Sequence, residues 1–115
     1  ELLAPERRAR APRLAGGVAL ADSSAHGLCR GTSTSGGYVM ETDSEGLLEA
    51  GMRLAGRTFE RFLAELGWER AALERVITHQ VGSAHRRRLL AALELGAIPD
   101  FPTVDRLGNT GSAAL

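Results

Sequence analysis

One long stretch of the sequence carries a helical repeat, and it constrains the fold more than any other feature. Over residues 44–66 the apolar side chains recur every three or four positions, which places them on one helix face. Thr42 and Glu45 have the spacing of a capping box, so Thr42 is the predicted N-cap, and Gly67 is expected to end the helix. The segment is therefore predicted to be a long amphipathic helix. Its apolar face consists of Leu48, Met52, Ala55, Phe59, Phe62 and Leu66.

The part of the chain before this helix has weaker signals. Residues 1–13 carry four arginines and two prolines and are assigned as a connector, with a carrier-protein or phosphate contact as the alternative. Residues 14–24 are assigned as a strand. Residues 26–37 are rich in Gly, Ser and Thr and are assigned as a loop that leads into the helix.

The part after the long helix alternates between helix and strand patterns. Residues 68–73 are predicted to form a helical turn, and residues 75–78 a brief buried strand rich in β-branched side chains. A helix is predicted from residue 84 to about 95 with Ser83 as its N-cap, and an extended piece over 101–104. This order indicates an α/β fold with some parallel strand pairing.

Composition excludes several classes of function. The 115 residues include 14 acidic and 14 basic side chains, so no net charge attracts the chain to nucleic acid or to an anionic membrane. No apolar stretch approaches the length of a membrane span. The single cysteine, Cys29, excludes an internal disulfide and fits a reducing cytoplasm, where we expect the protein. One His-x-x-Cys pair, His26 and Cys29, is too little for a zinc site.

Two polar residues stand at the ends of the predicted strands in the second half. His79 ends the strand before a helix, and Asn109 lies in the turn after residues 101–104. Open α/β sheets bind ligands at such strand ends. An imidazole N–H and an amide NH₂ are both donors that can stabilise an oxygen gaining negative charge. The alternative is that both residues are structural.

The surroundings of these two residues resemble a known family. Val76-Ile77-Thr78-His79-Gln80-Val81-Gly82, followed by Leu107-Gly108-Asn109-Thr110-Gly111-Ser112-Ala113-Ala114, is similar to the C-terminal half of 3-oxoacyl-acyl-carrier-protein synthase III enzymes of the thiolase superfamily. The resemblance implies that residues 14–115 are a C-terminal domain of the thiolase fold, incomplete at both ends. It also implies a Claisen condensation of an acyl-enzyme with a second thioester, giving a 3-oxoacyl product in fatty-acid or related lipid biosynthesis.

The resemblance assigns roles to residues of this chain. His79 and Asn109 take the positions of the pair that stabilises the donor enolate, and no cofactor is implied beyond acyl thioesters of coenzyme A or acyl carrier protein. The family's cysteine nucleophile is expected upstream of Glu1, so the chain alone is not expected to be active. Cys29 is not its replacement, because it lies in a predicted loop without a helix N-terminus to lower its pKa.

Other expectations follow from the same resemblance. Ala84 stands where bacterial fatty-acid enzymes often have an arginine for the carrier protein, and residues 86–88 are three arginines that either replace that contact or form a solvated helix face. The sequence around both site residues is more similar to the branch that condenses two long acyl thioesters in olefin biosynthesis than to the acetyl-primed initiation enzyme. A homodimer is expected. The rival interpretation is a non-catalytic thiolase-like subunit for dimerisation or carrier binding.

Overall fold

A computed structural model describes residues 13–110 of the chain. The predicted connector lies outside these residues except for Arg13, and so does the end of the small-residue run, 111–114. The described part is mixed α/β. Its elements are a 3₁₀ helix Ser23–Leu28, strands β1 Cys29–Thr34 and β2 Gly37–Thr42, helix α1 Ser44–Leu66, a 3₁₀ turn Arg70–Ala72, helix α2 Ser83–Ala92 and helix α3 Val104–Leu107.

The long helix α1 confirms the periodicity argument with the predicted bounds. Its N-cap is Asp43, however, whose Oδ1 accepts a hydrogen bond from the Gly46 N–H at 2.9 Å. The prediction of Thr42 was wrong by one residue, because Thr42 is the last residue of β2 and pairs there with Cys29. Gly67 ends the helix in the left-handed region, at φ 62°, as expected.

The region before α1 is a hairpin, and two predictions for it were wrong. Residues 14–22 form no strand, and the predicted loop over 26–37 contains the end of the 3₁₀ helix and all of β1. Strands β1 and β2 pair antiparallel from Cys29↔Thr42 to Thr34↔Gly37. Every residue of both strands is exposed, so the hairpin lacks the alternation of apolar and polar side chains by which strands are recognised.

The second half of the chain contains less regular structure than the sequence predicts. The two predicted strands are reduced to one parallel bridge, Val76↔Asp100, supported by a 3.1 Å hydrogen bond from the Val76 N–H to the Pro99 carbonyl. Helix α2 begins at Ser83 itself with Gly82 as N-cap, so the prediction of Ser83 as cap was wrong. The piece 101–104 was predicted to be extended, but α3 already begins at its last residue, Val104.

The core of the described residues is small. Only Leu63 of α1, Leu90 of α2 and Leu95 after it are buried apolar side chains. Trp68, which follows α1, packs edge-on against Phe62 of α1 with ring centroids 5.8 Å apart, and its side chain stays 44% exposed. The short turn after α1 is fixed by Arg70, which forms ion pairs with Glu60 at 2.5 Å and Glu94 at 2.8 Å. Among the described helices, none has the length and apolar character needed to cross a membrane.

Candidate functional site

His79 lies just beyond the bridged segment, as the sequence predicts. It is exposed, and its carbonyl accepts a hydrogen bond from the Val81 N–H at 3.2 Å. This tight turn redirects the chain from the bridge at Val76 towards the start of α2. The side chain of His79 is thus presented at the strand-like end and not within the packed part of the protein.

Gln80, the next residue, is the most deeply buried polar side chain in the described part of the chain. It is 1% exposed. Its Nε2 donates to the Thr78 carbonyl at 2.8 Å, and its Oε1 accepts from the backbone N–H groups of Thr103 at 2.8 Å and Val104 at 3.0 Å. A single amide therefore connects the segment that carries His79 to the first turn of α3.

Asp100 forms a second connection between the same two segments. Its Oδ2 accepts from the Thr78 hydroxyl at 3.5 Å and lies 3.4 Å from the Arg86 Nε of α2, while its Oδ1 accepts from the Phe101 N–H at 2.7 Å. The Arg86 Nε has no partner with hydrogen-bond geometry, so we treat this contact as an ion pair only. Thr78, Gln80, Asp100 and Arg86 are called the polar clamp below.

Asn109 follows α3 after one residue. Gly108 adopts φ 68°, a left-handed value that a residue with a side chain rarely takes, and its N–H donates to the Val104 carbonyl at 2.9 Å. The backbone of this turn is thereby bonded to Val104, the residue whose own N–H reaches Gln80. Asn109 is exposed, like His79. The pairing of the two side chains at one oxyanion stays a prediction, but the clamp links their segments.

Sequence reasoning missed the clamp. The only signal for Gln80 was its place in the His79-Gln80 dipeptide, and nothing in local pattern distinguishes a buried glutamine from an exposed one. Asp100 and Thr78 gave no signal at all. These residues became recognisable only when the bridge at Val76 brought two distant segments together.

The other candidates from the sequence fall elsewhere. Cys29 is exposed at the start of β1, where its Sγ lies 3.5 Å from the Thr42 Oγ1 and no helix begins. His26 Nδ1 is bonded to the Ser23 carbonyl at 2.9 Å. Within residues 13–110, no three His, Cys, Asp or Glu side chains are grouped so as to hold a metal ion.

The three arginines of α2 are not equivalent. Arg86 turns inward to Asp100, with 25% of its side chain exposed, whereas Arg87 and Arg88 are exposed. A solvated face thus describes two of the three, and Arg86 belongs to the clamp.

Comparison with known proteins adds two similarities that cover nearly the whole chain. The chain is 35% identical to an acyl-CoA:acyl-CoA alkyltransferase of Shewanella oneidensis over 116 aligned positions, 96% of the chain and 33% of that protein. It is 30% identical to a protein of the same name from Xanthomonas campestris pv. campestris, over 91% of the chain and 30% of that protein. The chain is thus similar to proteins named acyl-CoA:acyl-CoA alkyltransferase only in the sense of these identities. It spans about a third of the length of these curated relatives.

The other two comparisons give no match. No family model matches the chain, and no solved structure matches it. Both similar proteins carry the name of a transferase that acts on two acyl-CoA molecules. These names agree with the branch of the sequence resemblance that uses two acyl thioesters, and they give no separate indication of a 3-oxoacyl-acyl-carrier-protein synthase III.

Proposed function

We propose that this chain is part of an enzyme that joins two acyl-CoA thioesters by Claisen condensation, and that His79 and Asn109 bind the oxygen of the donor enolate. One acyl group is held as a thioester on a cysteine of the complete enzyme. The α-carbon of the second acyl-CoA, after losing a proton, attacks that thioester carbonyl. A carbon–carbon bond forms, the cysteine thiolate leaves, and the product is a 3-oxoacyl-CoA.

The observation that carries the proposal is the link between two segments far apart in sequence. Gln80 bonds the His79 segment to the start of α3, and α3 leads in a single turn to Gly108 and Asn109. An oxyanion site requires two donors that converge on one oxygen, and this link holds the segments of the two proposed donors together. The similarity to two acyl-CoA:acyl-CoA alkyltransferases supplies the substrate class.

The chemistry of the two side chains fits this role. An imidazole ring and a primary amide each carry an N–H group that can donate a hydrogen bond to the enolate oxygen. Donors fixed before the reaction stabilise charge that develops on the enolate oxygen, and removal of one such donor costs about 3–4 kcal/mol in the barrier. Each residue alone should therefore change the condensation rate by about a hundredfold or more.

The exposed apolar side chains around the site support the idea that it is completed by other parts of the protein. Ile77 at 51% and Val81 at 43% exposure lie on either side of His79, Leu107 at 67% lies just before Gly108 and Asn109, and Phe101 at 61% precedes α3. In the proposal this chain is most of the second half of a thiolase fold. These side chains then pack against the half that carries the nucleophile, which also removes water from the enolate.

The test uses the complete enzyme with two readouts. His79→Ala and Asn109→Asp should each reduce 3-oxoacyl-CoA formation by about a hundredfold or more, while transfer of the first acyl group to the cysteine stays intact. Asn109→Asp keeps the size of the side chain and places an oxygen where the donor N–H was. His85→Ala, on α2, is the matched histidine control and should retain condensation.

Three outcomes would contradict the proposal or a part of it. Normal condensation by either site variant would remove the assigned role. A complete protein that forms no acyl-enzyme and no carbon–carbon bond with any acyl-CoA would favour the non-catalytic subunit. Replacing the second acyl-CoA by a malonyl thioester of acyl carrier protein tests the donor, and faster reaction with that donor would contradict the coenzyme A assignment.

A further inference from the structure

We propose that Gln80 is a positioning residue for the condensation, setting the turn that carries Asn109 relative to His79. This inference rests on the proposed function, because positioning matters only if the two side chains act on one oxygen. Gln80 itself is 1% exposed and is not proposed to touch substrate.

The first step of the argument is that both ends of the Gln80 amide are occupied by backbone groups of different segments. Its Nε2 is held by the Thr78 carbonyl, one residue before His79, at 2.8 Å. Its Oε1 receives the N–H groups of Thr103 and Val104 at 2.8 and 3.0 Å. Since the amide is planar and rigid, fixing one end on the His79 segment fixes the position of the other.

The second step concerns the start of α3. The side chain of Thr103, the N-cap residue, makes no capping hydrogen bond. Gln80 Oε1 takes that role from outside the helix and satisfies two N–H groups that a helix start leaves without intrahelical partners. Because α3 is a single turn, Val104–Leu107, its direction depends on this contact. The Gly108 N–H, bonded to the Val104 carbonyl, transmits that direction to Asn109.

The third step is that loss of Gln80 should loosen the two segments without separating them. The bridge Val76↔Asp100 and the contacts of Asp100 with Thr78 and Arg86 do not involve Gln80. The segments thus stay adjacent in its absence, while the orientation of α3 becomes variable. Misplacement of a catalytic group by about 1 Å can cost a hundredfold in rate, so the effect should appear in catalysis beyond any effect on folding.

The experiment compares Gln80→Met with Gln80→Ala in the complete enzyme. Methionine preserves most of the side-chain volume and removes all three hydrogen bonds, which keeps the test valid if Gln80→Ala fails to fold. For Gln80→Met we expect kcat for condensation to fall about 10- to 100-fold, with KM for the second acyl-CoA and the rate of acyl loading retained. Leu63→Ala, which opens a cavity in the core away from the clamp, is the control for lost stability and should retain kcat.

A double-mutant cycle separates positioning from a purely structural role. Once Asn109 is replaced by alanine, its placement no longer matters, so Gln80→Met with Asn109→Ala should be no slower than Asn109→Ala alone. If the double variant is slower than Asn109→Ala by the same factor as Gln80→Met is slower than wild type, the inference is overturned. A normal kcat in Gln80→Met would also overturn it. If His79→Ala and Asn109→Ala themselves condense normally, the proposed function fails. If those two lose activity and Gln80→Met does not, only the positioning role fails.

Discussion

The N-cap of α1 stabilises the first turn of the helix, and the effect of losing it can be measured at a single backbone N–H. The sequence favours Thr42, while in the structure the Asp43 Oδ1 accepts the Gly46 N–H at 2.9 Å. Replacing an aspartate N-cap by alanine typically costs about 0.5–2 kcal/mol, and the exposure of Asp43 places it at the lower part of that range. About 1 kcal/mol corresponds to roughly a fivefold change in the local opening equilibrium.

The measurement is amide hydrogen exchange at Gly46, which responds to this one bond. Asp43→Ala should speed exchange at Gly46 about fivefold, and Asp43→Asn, which keeps an acceptor oxygen, should change it far less. Thr42→Val is the matched control, because it keeps the branched strand residue and removes only the hydroxyl. If Asp43→Ala leaves exchange at Gly46 unchanged while Thr42→Val speeds exchange at Glu45, the N–H that a Thr42 cap would bond, the cap assignment is wrong and the capping box of the sequence is right.

Two further predictions concern the region before α1. The pKa of Asp22 is held below its ordinary value by the Ser24 hydroxyl and N–H, and then by the Arg57 guanidinium. The ionised carboxylate therefore stabilises the fold above the unfolded-state pKa, and this stabilisation is lost as the pH falls through the lower folded-state pKa. In thermal unfolding, the difference in Tm between wild type and Asp22→Asn should shrink below about pH 4. A Cβ at position 31 would overlap the Tyr38 hydroxyl, so Gly31→Ala should move the ring off β1, seen as loss of NMR contacts between the ring and residue 31. A Tm difference that persists at acid pH, or a ring that keeps those contacts, would contradict them.

The sequence predicts those parts of the fold whose signal is local. The bounds of α1 were predicted because its apolar stripe, from Leu48 to Leu66, repeats over about five turns. Gly67 was predicted because glycine adopts the left-handed conformation after a helix at little energetic cost. The hairpin was missed for the opposite reason. Both strands are exposed, and β1 is rich in Gly, Ser and Thr, so their pairing depends on backbone hydrogen bonds that no side-chain pattern indicates.

The candidate site divides in the same way. His79 and Asn109 were selected because chain turns and a family resemblance mark their positions. The structure has His79 exposed beyond the bridged segment and Asn109 exposed after α3, and their shared role stays a prediction. The residues of the polar clamp, which connect the two segments, could not be predicted from the sequence. Gln80 becomes buried only when the segment around Thr103, which is 23 residues further along the chain, packs against it.

The two segments are joined mainly by side chains, so substitutions can change the geometry of the candidate site. A regular parallel sheet fixes its strand ends through many main-chain hydrogen bonds that are independent of side-chain identity. Here there is one bridge, at Val76, and the remaining connections come from Thr78, Gln80 and Asp100. Substituting these side chains can therefore alter the distance between His79 and Asn109 without disturbing a ladder. In the proposed enzyme, the fit of the oxyanion site to the donor thioester is set by buried residues that never contact the donor.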